Sequence, residues 1–283
     1  MELLPLYQDI IRRLKAADIE AADLEARRIL QERSGNEWSQ IIAAPETLLT
    51  PQQLLNIEAD VQRRLAGEPL SRIYGCREFW GMEFALSPDT LDPRPDTETL
   101  IEAVLKAYKD ESAPEAILDL GTGTGCILLA LLKEFPQARG LGIDKAPGAV
   151  ETAQKNAKHH DLDDRAAFQA GNWGDNLNDT FDLIVSNPPY ITNQIIKTLS
   201  KEVQNHDPIL ALSGGNDGLD AYRQIFSQLF SLLKPAGKAF FEIGFDQEDD
   251  VARLAEESRI RVRHVHRDLA GQPRVVEISN GDK

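Results

Sequence analysis

Only two cysteines, Cys76 and Cys126, occur in the 283 residues, far apart and without metal-ligand spacing. That excludes a disulfide framework and fits a reducing compartment. None of the five histidines pairs with a cysteine or an acid at ligand spacing, so no metal is expected. Positive charge is in deficit: 31 Lys and Arg stand against 46 Asp and Glu, for a net charge of −15. Such a surface repels phosphate backbones, so direct nucleic-acid binding is not expected without a local basic patch. The strongest candidate is Arg261, Arg263, His264, His266 and Arg267, whose alternation along a strand equally suits an ordinary solvated face. No apolar run approaches a membrane span. The N-terminus, broken by Glu2, Asp9, Arg12 and Arg13, carries no signal-peptide pattern. A cytoplasmic protein with no membrane partner is expected.

At 42% hydrophobic residues the chain can bury a full core, and its length suits two domains. Its most informative residues are Asn187-Pro188-Pro189-Tyr190, which end the apolar run from Phe181 to Ser186. Two consecutive prolines remove two backbone donors and leave acceptors, the Asn187 side-chain oxygen and the Pro188 carbonyl. Two acceptors side by side suit a planar NH2 group, and Tyr190 offers a flat face to lie against it. The same residues also read as a tight turn after a strand.

Upstream, the apolar Ala116–Leu120 runs into Gly121-Thr122-Gly123-Thr124-Gly125, and a helix opens at Cys126. Alternating glycines let a ligand approach the backbone. The dinucleotide fingerprint needs glycine where Cys126 stands, and the turn holds no Lys or Arg for a phosphate loop. It suits a neutral or cationic nucleoside such as S-adenosylmethionine. The next strand ends in Asp144, which either accepts both ribose hydroxyls or caps the helix beginning near Pro147. The third strand leads to Gly171-Asn172-Trp173, where a side-chain oxygen can take an adenine amine. The Trp173 indole can pack on the ring or simply fill the loop. Cys126 reads either as a mildly activated thiol or, better, as a small buried residue.

Glycine turn, strand-end acid and Asn-Pro-Pro-Tyr in this order resemble the S-adenosylmethionine-dependent amino methyltransferases. With Gly67-Glu68-Pro69-Leu70-Ser71-Arg72-Ile73-Tyr74-Gly75 and Pro93-Arg94-Pro95-Asp96-Thr97-Glu98, nearly the whole chain resembles the HemK-type protein-(glutamine-N5) methyltransferases of peptide-chain release factors. The resemblance implies an α/β fold, a Rossmann-like methyltransferase sheet with a small N-terminal helical domain. It implies S-adenosylmethionine bound at Gly121, Thr122, Gly123, Thr124, Gly125, Asp144, Trp173 and Asn187. It implies chemistry at Asn187, Pro188, Pro189 and Tyr190, directed at the glutamine of the release factors' Gly-Gly-Gln motif. An acidic enzyme suits such an RNA-binding partner. Alternatives are a nucleic-acid amino methyltransferase and a ribosomal-protein glutamine methyltransferase. The chain departs from the family at Asn172, commonly aspartate, and at Asp92, often apolar. Arg94 and Glu98 either close over the cofactor or tie the linker down.

The expected organisation is a helical substrate-docking domain over 1–75, a hairpin or linker over 76–95, and the methyltransferase domain over 96–283, in a monomer. The best-marked helix starts with Thr50 as N-cap, Pro51 in its first turn and Gln53 closing a capping box, and Gly67 ends it. The tail, 260–268 and 275–279, is expected to form a final hairpin with one antiparallel strand in the sheet.

Overall fold

The computed structural model describes residues 2–279, so the outermost ends of the expected domains, 1 and 280–283, lie outside the described residues. The chain divides into two compact units, Met1–Tyr74 and Gly75–Lys283. The first unit is helical: α1 (Leu3–Ala16), α2 (Ala22–Ser34), α3 (Trp38–Ala43), α4 (Pro51–Leu65) and α5 (Leu70–Tyr74). Thr50 Oγ1 accepts from the Gln53 amide at 3.2 Å and Gln53 Oε1 accepts from the Thr50 amide at 2.9 Å, closing both ends of the capping box. Ile57 and Val61 of α4 enter a core with Ile10, Leu14, Ile29 and Leu30, while Leu54 and Leu65 pack at its edge. Inside this core Arg64 forks onto Glu25 at 2.6 and 3.1 Å, so its burial is matched by a bidentate partner.

The second unit opens with a hairpin, β1 (Cys76–Phe79) and β2 (Met82–Ala85). Its Phe79, Met82 and Phe84 are buried in that unit's own core. A 3-10 turn (Pro95–Thr97) leads into α6 (Glu98–Ala107). Strands and helices then alternate: β3 (Ala116–Leu120), α7 (Cys126–Glu134), β4 (Arg139–Asp144), α8 (Pro147–His159), β5 (Ala166–Ala170) and β6 (Phe181–Ser186). Three short helices, α9 (Asn193–Ile196), α10 (Lys201–His206) and α11 (Ile209–Leu212), precede α12 (Asp220–Leu232), β7 (Leu233–Glu242), α13 (Glu248–Glu257), β8 (Arg261–Arg267) and β9 (Pro273–Ser279).

The seven strands lie in the order β5-β4-β3-β6-β7-β9-β8, parallel except for β9, which pairs antiparallel with both β7 and β8. Successive residues of β3 serve opposite faces. Ile117 packs with α6 and α7, and Leu118 with Tyr222, Ile225 and Phe226 of α12. Helices thus cover both faces, as parallel strands require. The chain moves outward one way from β3 to β4 and β5, and the other way from β6 to β7. The reversal opens a crevice beyond the carboxyl ends of β3, β4 and β6, where open α/β sheets bind ligands.

Candidate active site

A cavity of about 440 Å³ occupies that crevice. Gly121, Thr122, Gly123 and Thr124 form one wall, with Asp144, Trp173, Asn187 and Pro189 around it. The glycine turn is anchored from below. The amides of Gly121 and Thr122 both donate to Ile143 O, at 2.8 and 2.9 Å. The Thr122 hydroxyl donates to Asp119 Oδ2 at 2.6 Å. Burial pushes the Asp119 carboxyl up to about 7, with that hydroxyl pulling it back. Gly123 has a φ of +55°, and a Cβ built on it would meet nothing within 4 Å. The turn therefore presents bare backbone to open space.

Asp144 serves the turn and the next helix together. Its Oδ2 accepts from the Gly123 amide at 2.8 Å and its Oδ1 from the Ala146 amide at 2.9 Å. The residue at the N-cap of α8 is Ala146, so Asp144 braces the helix start from two residues upstream. Burial raises its carboxyl above the ordinary aspartate range, against the pull of the Ala146, Gly123 and Lys145 amides. Each oxygen keeps a second lone pair, enough for one hydroxyl apiece. Asn172 donates its amide hydrogens to Asp175 and Gln224, at 3.1 and 3.4 Å, which leaves its carbonyl oxygen as acceptor. Trp173, with φ +52°, lies against Gly121 and one face of the core.

On the opposite side, Asn187 Nδ2 donates to Thr97 Oγ1 at 3.1 Å. That bond engages the amide's donor end and leaves Oδ1 to accept. Pro189 walls the cavity, whereas Pro188, Gly125 and Tyr190 lie outside its wall. Gly125 instead opens α7 as its N-cap. Tyr190 turns its hydroxyl to Glu242 Oε1 at 3.4 Å, and its backbone carbonyl accepts from Gln247 Nε2 at 3.2 Å. Cys126 lines the cavity, but burial pushes its thiol up to about 12, which removes it as a nucleophile near neutral pH.

Arg94 and Glu98 have separate tasks. Arg94 lines the cavity and pairs with Asp207 at 2.6 Å, while Glu98 Oε1 accepts from the Trp80 amide at 2.8 Å and ties α6 to the hairpin. Sequence reasoning missed Thr97 and the stretch that supplies Asn193, Leu210, Ser213 and Asp220 to the wall. Thr97 stood inside the quoted Pro-Arg-Pro-Asp-Thr-Glu run, so proximity to that motif was the one available signal.

The donor set fits S-adenosylmethionine. The turn is uncharged, Asp144 has lone pairs for two hydroxyls, and Asn172 has a free acceptor. Asp89, Asp144 and Asp220 face the cavity against Arg94 and Lys145, and Arg94 is already paired, so the wall favours a sulfonium over a phosphate.

Comparison with known proteins agrees. Residues 111–263 match a methyltransferase domain and residues 6–75 a PrmC N-terminal domain. The release factor glutamine methyltransferase of Bradyrhizobium diazoefficiens is 46% identical over 93% of this chain and 90% of its own. That of Rhodospirillum rubrum is 47% identical over 93% and 80%. The chain belongs to the release factor glutamine methyltransferase family. Family membership makes it an S-adenosylmethionine-dependent methyltransferase. The N-terminal domain of human METTL16, solved with SAH, superposes with a TM-score of 0.51 at 17% identity over 80% of this chain and 84% of that one, a likeness of fold. Among the described residues no helix is long and apolar enough to cross a membrane, and no three His, Cys, Asp or Glu gather as metal ligands.

Proposed function

We propose that the protein methylates the side-chain amide nitrogen of the glutamine in the Gly-Gly-Gln motif of class 1 release factors. The observation that carries this reading is the Asn187 amide, held by Thr97 through Nδ2 so that its Oδ1 is left to accept from a substrate NH2. An amide nitrogen is a weak nucleophile because its lone pair is delocalised, so orientation has to supply most of the help. When bound, S-adenosylmethionine supplies an electrophilic methyl on a positive sulfur. Asn187 Oδ1 accepts one of the amide hydrogens, aims the nitrogen and stabilises the positive charge that develops on it. Acceptors placed at developing charge contribute about 3 kcal/mol. Pro189 excludes water from the slot, and Tyr190 holds the backbone behind it. Gly121 to Thr124, Asp144 and Trp173 hold the cofactor.

The test is transfer of labelled methyl to a purified release factor, beside a factor whose Gly-Gly-Gln glutamine is alanine. Label on the first and none on the second is expected. No label on either, with cofactor binding intact, would overturn the reading in favour of a ribosomal-protein or nucleic-acid amine.

The helical unit, 1–75, is assigned here to docking of the protein substrate, in a cytoplasmic monomer. It exposes Leu24, Leu48 and Leu55 by 63, 72 and 66%. Leu55→Ser is expected to raise KM for the factor with kcat kept, and an unchanged KM for serine variants at all three positions would remove the assignment. Sedimentation velocity checks the monomer.

A further inference from the structure

β6 and β7 run parallel with Ser186 beside Phe241. The next positions, Asn187 just past the end of β6 and Glu242 at the last residue of β7, therefore lie side by side at the carboxyl end of the sheet. Glu242 is buried, 1% exposed, and nothing in the proposed chemistry uses it. Its backbone carbonyl accepts from the Tyr222 hydroxyl at 2.7 Å, and its Oε1 takes only the long bond from Tyr190. Its Oε2 has no partner in good hydrogen-bond geometry. A buried carboxylate oxygen left open is costly unless a donor can turn to it.

One donor is at hand. Thr97, 3% exposed, accepts from Asn187 through Oγ1 and still has its own hydroxyl hydrogen to give. The Glu242 carboxylate interacts with that hydroxyl. Arg274 is nearby, but its bonds go to Asp268 at 3.0 Å and Asp96 at 3.3 Å.

We propose that Glu242 is a positioning residue whose carboxylate takes the Thr97 hydroxyl hydrogen, which obliges Thr97 to accept from Asn187 and so turns Asn187 Oδ1 toward the substrate. A carboxylate only accepts, so the relay Asn187 to Thr97 to Glu242 has one polarity. Anything at 242 that can donate permits the reverse: Thr97 then donates to Asn187, and the Asn187 NH2 faces the substrate amide with the wrong sign. The inference rests on the role given to Asn187 above.

Protonation of Glu242 is such a reversal. Burial pushes its carboxyl up to about 7, with Thr97, Arg274 and Tyr190 pulling it down and Asp96 pushing it up. Tyr222, the other titratable group against it, is itself raised well above the ordinary tyrosine range by burial. Above about 7 the carboxylate accepts, and below it the acid can donate, so kcat falls as pH drops.

The experiment compares Glu242→Gln, Thr97→Val, Thr97→Ser, the Glu242→Gln/Thr97→Val double variant and Asn187→Ala in methyl transfer to a release factor. Cofactor affinity is measured by titration calorimetry. Glu242→Gln and Thr97→Val are each expected to lower kcat about tenfold, the effect of one misdirected hydrogen bond, with cofactor affinity unchanged. Thr97→Ser keeps the rate, and the double variant is no slower than Thr97→Val, because both act through one relay. The acid limb near pH 7 is present in the parent and absent in Glu242→Gln. The side-chain 15N resonance of Asn187 shifts with the same midpoint in the parent and stays flat in Glu242→Gln.

Full kcat in Thr97→Val with an unchanged pH profile overturns the proposal, and so does a Glu242→Gln that loses only thermal stability. Thr97→Val decides alone if Glu242→Gln does not fold. Inactive Asn187→Ala beside normal relay variants removes this inference and leaves the Asn187 role standing, whereas an active Asn187→Ala removes both.

Discussion

The two sides of the cavity are built differently. The cofactor side is backbone held by partners no more than 22 positions away: a glycine turn hung on Ile143 O, and an aspartate whose two oxygens are each fixed by a main-chain amide. The substrate side is side chains held by distant ones. Asn187 depends on Thr97, 90 residues away, Arg94 on Asp207, 113 away, and the Tyr190 carbonyl on Gln247, 57 away. A site for an invariant cofactor can be made from consecutive residues after each strand. A slot that must present acceptors, and no donors, to one amide needs its own groups oriented by tertiary contacts.

The sharpest way to separate the two sides is to remove one group from each. Asn187→Ala is expected to lower kcat by about 10²- to 10³-fold, the range for loss of a group placed at developing charge. Cofactor affinity by calorimetry should stay at the parent value. Near-normal turnover would take the substrate side away from Asn187. Asp144→Ala should do the reverse, weakening the cofactor by about 10- to 100-fold, as expected for charge-assisted bonds to hydroxyls. Its kcat at saturating cofactor should fall only a few-fold. Equal loss of kcat and affinity in Asp144→Ala would show that the turn and the slot are one unit, and the comparison would break.

The same division decides what could be read in the sequence. The Thr50 capping box, the strand–glycine–helix at 116–134, the Asp144 strand end and the final hairpin are set by residues a few positions apart, and they stand where periodicity and caps put them. In the sequence Asp144 reads as a helix cap or a ribose acceptor. The structure shows why both readings had force, since its oxygens already brace the helix start and the glycine turn while keeping lone pairs free. Asn187 was legible as a residue, but the sense in which its amide points was not, because Thr97 approaches only once α6 packs on the sheet. Tyr190 reads as a flat wall in the sequence, yet its hydroxyl finds Glu242, a partner 52 residues on that no local pattern announces. The three short helices after β6 carry no amphipathic period long enough to be placed in advance.

A gentler change tests whether the substrate side really hangs on distant supports. Gly218 has a φ of +79°, and a Cβ there would collide with the Tyr190 carbonyl and the Gln247 amide that binds it. Gly218→Ala combines a strained backbone with that collision, at a cost of about 1–3 kcal/mol in urea unfolding. The collision falls on the residue that follows Asn187-Pro188-Pro189, so kcat should drop less than tenfold, a smaller loss than Asn187→Ala causes because every acceptor is still present. Cofactor affinity should not move, since neither Gly218 nor Gln247 touches the glycine turn or Asp144. If stability falls while kcat and cofactor affinity both hold, the Tyr190 backbone is only a scaffold. If cofactor affinity falls instead, the strain has crossed the crevice, and the two sides are coupled through the sheet rather than built apart.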